Sequence, residues 1–151
     1  MALRLIPFLV MNGNAKEAIK FYEKSLEAKV LFKQTFGDAP KNPKSPLPVD
    51  MKERVAHAVL KVGETNIMIA DNFPGHPYQS GNQVNICITT NEIEKSKKFY
   101  ESLNEDGQVN MPLQETHFSP AYGIVTDKFG VSFQICTFST EEAVLRGYEK
   151  E

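Results

Sequence analysis

Cysteine is scarce in this chain: 151 residues contain two, Cys87 and Cys136. Two are too few for a secreted disulfide framework, and they lack the spacing of a metal knuckle. Positive charge is not in excess either, since seventeen Lys and Arg face nineteen Asp and Glu for a net charge of −2. No basic block stands out, so the electrostatic footprint of a nucleic-acid binder is missing. No apolar run reaches the length of a membrane span. The apolar start "LRLIPFLVM" is broken by Pro7, runs into Asn12-Gly13 and has no small-residue cleavage pattern. There is no glycine-rich phosphate loop, and no Ser-His-Asp or Cys-His spacing can be defended. These absences leave a reduced, soluble, cytoplasmic protein as the expectation, without nucleic-acid or membrane partners.

What is present is ordinary for a globular domain, 41% apolar and 24% charged. A chain this long buries roughly 70% of its unfolded surface and needs no staples. Its most telling feature is a phrase written twice, "FYEKSL" at Phe21–Leu26 and "FYESL" at Phe99–Leu103. Around the first, Ala18, Ile19, Tyr22 and Leu26 recur at helical spacing; around the second, Ile93, Ser96, Tyr100 and Leu103 do so. Asn14 with Glu17, and Asn91 with Glu94, resemble helix starts in which an amide oxygen accepts from a free backbone N–H.

The flanks repeat as well. A β-rich run precedes each helix, Leu5 to Met11 and then Val84 to Thr90. Three further candidate strands follow each: Val30–Phe36, Val55–Val62 and Thr65–Asp71, then Val109–Gln114, Ala121–Asp127 and Val131–Thr137. Tight turns at Gly63-Glu64 and at Asp127–Gly130 predict hairpins. The order strand, helix, strand, strand, strand thus occurs twice, an α+β pattern of two βαβββ modules. Neither module can bury both its sheet and its helix face alone, so duplication makes physical sense.

The expected boundaries place the first module at 1–71, a linker at 72–83 and the second module at 84–138. Residues 38–50, with prolines at 40, 43, 46 and 48, read as an extended exposed arm. Ser139 with Glu142 reads as a capping box opening a terminal helix over 139–151 that ends near Gly147.

Paired modules with "FY" in each helix and "DKFG" before the final strand resemble the vicinal oxygen chelate superfamily. That group includes glyoxalase I, extradiol dioxygenases and bleomycin-resistance proteins. The phrases "HAVLKVGETNIMIAD" and "VNMPLQETHFSPAYGIVTDKFGVSFQI" look like its PhnB-like, demethylubiquinone-methyltransferase-like branch. The chain departs from that branch at His117-Phe118-Ser119, where Phe-Trp-Gly is usual, and at Phe133, where Trp is common.

The resemblance implies curved mixed sheets around a concave cavity, and a homodimer in which one chain's first module often packs on the other's second. It also implies ligand positions for metal-dependent members on the first and last strand of each module. Counting back fourteen residues from Phe21 and Phe99 puts two of them at Pro7 and Asn85, with Met68 and Gln134 as the others. Proline offers no ligand, Met is soft, and Asn and Gln are neutral, whereas zinc, nickel or iron sites want imidazole, carboxylate or thiolate. No metal and no cofactor are therefore expected.

Side chains two apart on a strand share a face. Cys87 and Cys136 should therefore line the cavity close together with Leu9, Met68, Ala70, Asn85 and Gln134, with small core hydrophobes, the usual role of free cysteine, as the other reading of both thiols. His57 is the candidate acid or base, with a hydrogen-bonded sheet histidine as the alternative. His76 falls in the linker, and His117, Phe118 and Tyr122 are expected at the cavity rim. Three functions follow: binding of a small uncharged or amphipathic molecule, metal-free catalysis through His57 or a cysteine thiolate, or a partner interaction through dimer and arm.

Overall fold

Alternating apolar residues at Val55–Val62 (β3) and Thr65–Asp71 (β4) build the hairpin that the sequence indicated, with the same bounds. Gly63 turns the chain at φ +57, a left-handed conformation suited to glycine. The computed structural model describes residues 2–38, 49–73 and 75–139. The chain divides into two compact units, residues 1–79 and 80–151.

In the first unit β1 (Phe8–Met11), α1 (Ala15–Ser25) and β2 (Lys29–Thr35) precede the hairpin. Its sheet runs β1-β4-β3-β2, with β1 parallel to β4 and the other pairs antiparallel. The second unit repeats this with β5 (Ile86–Thr90), α2 (Ile93–Leu103), β6 (Gln108–Gln114), β7 (Tyr122–Thr126) and β8 (Ser132–Thr137), in the order β5-β8-β7-β6. Among the described residues each unit is a four-stranded mixed sheet with one α-helix, the α+β arrangement expected.

The described helix of each unit covers one sheet face, and no described helix covers the other, the open face. Ile67, Ile69 and Asp71 of β4 and Ala58 and Leu60 of β3 are buried, together with Ala18, Ile19, Tyr22 and Leu26 of the α1 stripe. In the second unit Phe133, Ile135 and Thr137 of β8 are buried with Ser96, Phe99 and Leu103 of α2. Ile93, expected in that stripe, is 42% exposed, and Phe99 takes the inward place. The shift follows from α2 beginning at Ile93 itself, in a first turn that has yet to reach the sheet.

The expected caps do not form. Asn14 makes no side-chain cap bond, and the cap position of the second helix falls on Glu92, one past the expected Asn91, also without one. At α1 the buried carboxylate of Asp71 replaces it, with Oδ1 accepting from the backbone N–H of Gly13 (2.9 Å) and Ala15 (3.0 Å) and Oδ2 from Val55 (2.9 Å). A negative group there also suits the positive end of the helix dipole. At α2 the backbone N–H of Glu92 donates to Thr90 Oγ1 at 3.2 Å, and Ser96 Oγ lies 2.6 Å from Thr137 Oγ1.

The turn before β8 is built on Asp127, whose Oδ1 accepts from the N–H of Phe129 and Val131, while Gly130 adopts φ +88. Pro112 is tolerated in β6 because that strand lies at the sheet edge and its ladder breaks between Met111 and Gln114. β1 starts at Phe8, not Leu5, and Leu5 is 97% exposed. Most of the expected proline-rich arm falls outside the described residues. Its neighbours are tied by Phe36 N–H to Arg54 O and Gly37 N–H to Lys52 O, both 2.9 Å, and Val49–Met51 form a 3-10 turn. The expected terminal helix also lies outside the described residues beyond Ser139.

Candidate functional site

Strand pairing decides which side chains share the open face. On the second sheet Cys87 stands beside Gln134 and Thr89 beside Cys136, while Tyr122 pairs with Cys136 and Ile124 with Gln134. These residues therefore point away from α2, and Asn85, two before Cys87, joins them. A file of neutral hydrogen bonds crosses this face. Tyr122 Oη donates to Gln134 Oε1 at 2.7 Å, Gln134 Nε2 donates to Asn85 Oδ1 at 3.2 Å, and Asn85 Nδ2 donates to the Asn82 carbonyl at 2.9 Å. Beside it lies a depression of about 190 Å3 lined by Asn82, Asn85, Asn110, Ile124, Thr126 and Ser132, none of them charged.

The two thiols border the same file, Cys87 exposed and Cys136 half-buried. Surrounding protein nevertheless raises the Cys87 thiol above its ordinary value, partial desolvation first and repulsion from Cys136 second. The Tyr122 phenol is raised too, by desolvation and then by Cys87 and Cys136. Both groups stay neutral near pH 7, which disfavours Cys87 as a thiolate base. The rim residues are brought together: His117 packs edge-on against Phe118 (5.2 Å between centroids), and Phe118 against Tyr122 (4.9 Å).

On the first sheet Phe8 pairs with Met68, Leu9 with Ile69, Val10 with Ala70 and Met11 with Asp71. Met68 and Ala70 thus share the open face with Phe8 and Val10, and Leu9 belongs to the opposite, helix-covered face. The expectation for Leu9 is corrected, and so is the alignment that put Pro7 at a ligand position. Three residues separate β1 from α1, but two separate β5 from α2. Counting equally back from each helix therefore lands one residue out of step in the first unit. The extra residue is accommodated in a turn whose Gly13 has φ +94.

Pro7 instead supplies its carbonyl to the Met68 N–H at 2.9 Å. His57 lies on the open face of β3, opposite Gln34, with its ring 5.9 Å from Phe8 and 6.0 Å from Phe32. Phe8 and Phe32 are each 49% exposed. Sequence reading missed both phenylalanines, although strand alternation in β2, once its bulge between Val30 and Phe32 was known, would have found Phe32. His76 lies apart from this face, its ring 5.7 Å from Phe73. A second depression, of about 180 Å3, is lined by Lys16, Lys33, Thr35, Lys52, Glu53 and Val55. Lys33 pairs with Ala58, so this charged hollow belongs to the helix side.

Neither open face, taken by itself, fits a divalent metal. On the first sheet Phe8 and Met68 offer no anionic ligand, and on the second Asn85 and Gln134 are neutral and bonded to one another. Among the described residues no group of three His, Cys, Asp or Glu is placed to hold an ion. No described helix is long and apolar enough to cross a membrane.

Comparison with known proteins gives this geometry a context. The family model described as 3-demethylubiquinone-9 3-methyltransferase matches residues 3–136. Protein YjdN of Escherichia coli is 33% identical over 138 residues, covering 87% of this chain and 92% of YjdN. The crystal structure of protein PA1353 from Pseudomonas aeruginosa is similar at 31% identity and a TM-score of 0.82, over 91% of this chain and 99% of that one. At 10% identity a glyoxylase/bleomycin resistance protein/dioxygenase domain from Frankia has a TM-score of 0.64, over 91% and 98%.

Proposed function

The chain belongs to the 3-demethylubiquinone-9 3-methyltransferase family, the PhnB-like branch of the vicinal oxygen chelate fold, and from there we propose that it binds a small uncharged or amphipathic molecule. Binding in this reading needs no divalent metal. The observation that carries it is the neutral file Tyr122–Gln134–Asn85 beside an uncharged depression on the open face of the second sheet. Amides and a phenol both donate and accept, so they recognise carbonyl, hydroxyl or amide groups without a net charge to balance. A volume of about 190 Å3 is below the roughly 300–1,000 Å3 of drug-sized pockets, which favours a fragment-sized ligand.

The test is a thermal-shift and calorimetric screen of chelator-treated protein with small neutral amides, phenols and quinones. A ligand present at a hundredfold excess over its Kd should stabilise the fold by about 2.7 kcal/mol. Gln134→Ala should abolish that gain. Chelated protein that binds none of these, together with stabilisation by a divalent metal alone, would reject the reading. A homodimer belongs to the same proposal, supported by the exposed apolar side chains Phe8, Val10, Leu31 and Phe32.

His57 favours a second reading, metal-free acid or base chemistry. It stands on an open face between two half-exposed rings, where a substrate can reach it. Turnover of the methylglyoxal–glutathione adduct by the native chain, lost in a folded His57→Gln variant, would favour this over simple binding.

A further inference from the structure

The binding role just proposed leaves both thiols unused, and their placement does not depend on it. Cys87 and Cys136 lie on neighbouring parallel strands, on one face, offset by two residues in register. Strands about 4.8 Å apart with a rise of about 3.3 Å per residue put such Cα atoms roughly 8 Å apart. A disulfide needs about 4.4–6.8 Å between Cα atoms, so direct oxidation of this pair requires backbone movement. An ion between the sulfurs requires less. With metal–sulfur bonds of about 2.3 Å, two opposed sulfurs stand about 4.6 Å apart. Side chains on one face of neighbouring strands can close from such Cα positions to that distance by leaning toward each other. The effect of Cys136 on Cys87, and of both on Tyr122, agrees with sulfurs that are near neighbours.

We propose that Cys87 and Cys136 clasp one soft, two-coordinate monovalent cation of the Cu(I) class on the open face of the second sheet. Softness of the sulfurs selects such an ion over calcium, magnesium or manganese. The ligand count excludes a four-coordinate structural zinc, because no third His, Cys, Asp or Glu joins the pair among the described residues. Each thiol releases its proton to solvent as its sulfur takes the ion. The neutral dithiol becomes two thiolates around one cation, and no atom changes oxidation state.

The experiment is an anaerobic titration of the full chain with Cu(I) against a chromophoric Cu(I) chelator. The native protein should take one ion per chain from the chelator. Cys87→Ser and Cys136→Ser, each checked for folding in the ion-free form, should take none at the same chelator concentration. Lowering the pH should release the ion as protons compete for sulfur. X-ray absorption on the loaded native chain provides a check that needs no variant and should show two sulfur neighbours. A single variant that keeps its ion, a native chain that takes none, or nitrogen neighbours around the metal would overturn the proposal.

Discussion

The Tyr122 hydroxyl on β7 donates to Gln134 on β8 at 2.7 Å, and the same glutamine donates onward to Asn85, the residue just before β5. One amide side chain therefore ties β7 and the entry to β5 to β8, on a face that neither described helix covers. The phenol's raised pKa keeps it a donor across the physiological range. Tyr122→Phe removes that donor and leaves Oε1 of the half-buried glutamine to water. The expected cost is about 0.5–1.5 kcal/mol, read from urea denaturation midpoints at constant slope. A Phe variant as stable as the native chain would show that the file contributes no stability.

Asp71 carries a larger share of the first unit. It is buried and accepts three backbone N–H groups, at the turn into α1 and at the start of β3. Asp71→Ala leaves those donors without it and should destabilise by at least about 2 kcal/mol, since the donors of Ala15 and Val55 are buried and each buried unsatisfied group costs about 1–3 kcal/mol. Asp71→Asn should fall between, because its NH2 group faces one donor where the carboxylate offered an acceptor. Equal loss in both variants would place the effect in the negative charge and not in acceptor geometry.

Stability should also depend on alkaline pH. The Cys87 thiol has an ordinary value of 9.0 and is raised in the fold by desolvation and Cys136; the Tyr122 phenol, ordinarily 10.0, is raised as well. Above those ordinary values the unfolded chain releases these protons before the folded chain does. The unfolded state then binds fewer protons, so stability falls as pH rises from about 9 through the folded values. Below pH 8 the two groups contribute no slope. Denaturation of the native chain and Cys87→Ser at pH 8 and pH 10 should show the smaller decline in the variant. Identical declines would remove Cys87 as a source.

Local chemistry was readable wherever the chain meets its own near neighbours. β3 and β4 kept their expected bounds because period-two alternation and a two-residue turn act within seventeen residues. The helices were readable from their stripes, yet Ile93 was misplaced, because periodicity does not show where the first helical turn meets the sheet. Asn14 looked like a cap, but the acceptor came from Asp71, fifty-six residues away from Ala15. Such a partner leaves no local pattern. Leu9 failed for a related reason, since a strand's faces are known only once its partner's register is known.

From its order of residues alone the chain determined a duplicated strand–helix–three-strand plan, because turn chemistry and side-chain periodicity are short-range properties of the backbone. Which face of β1 stays open, and that Phe8 rather than Leu9 lies beside Met68, came from folding. One additional residue between β1 and α1 inverts the expected alternation, and only pairing with β4 reveals it. The same distant pairing set Cys87 and Cys136 on one face of neighbouring strands, two residues out of register and forty-nine positions apart along the chain.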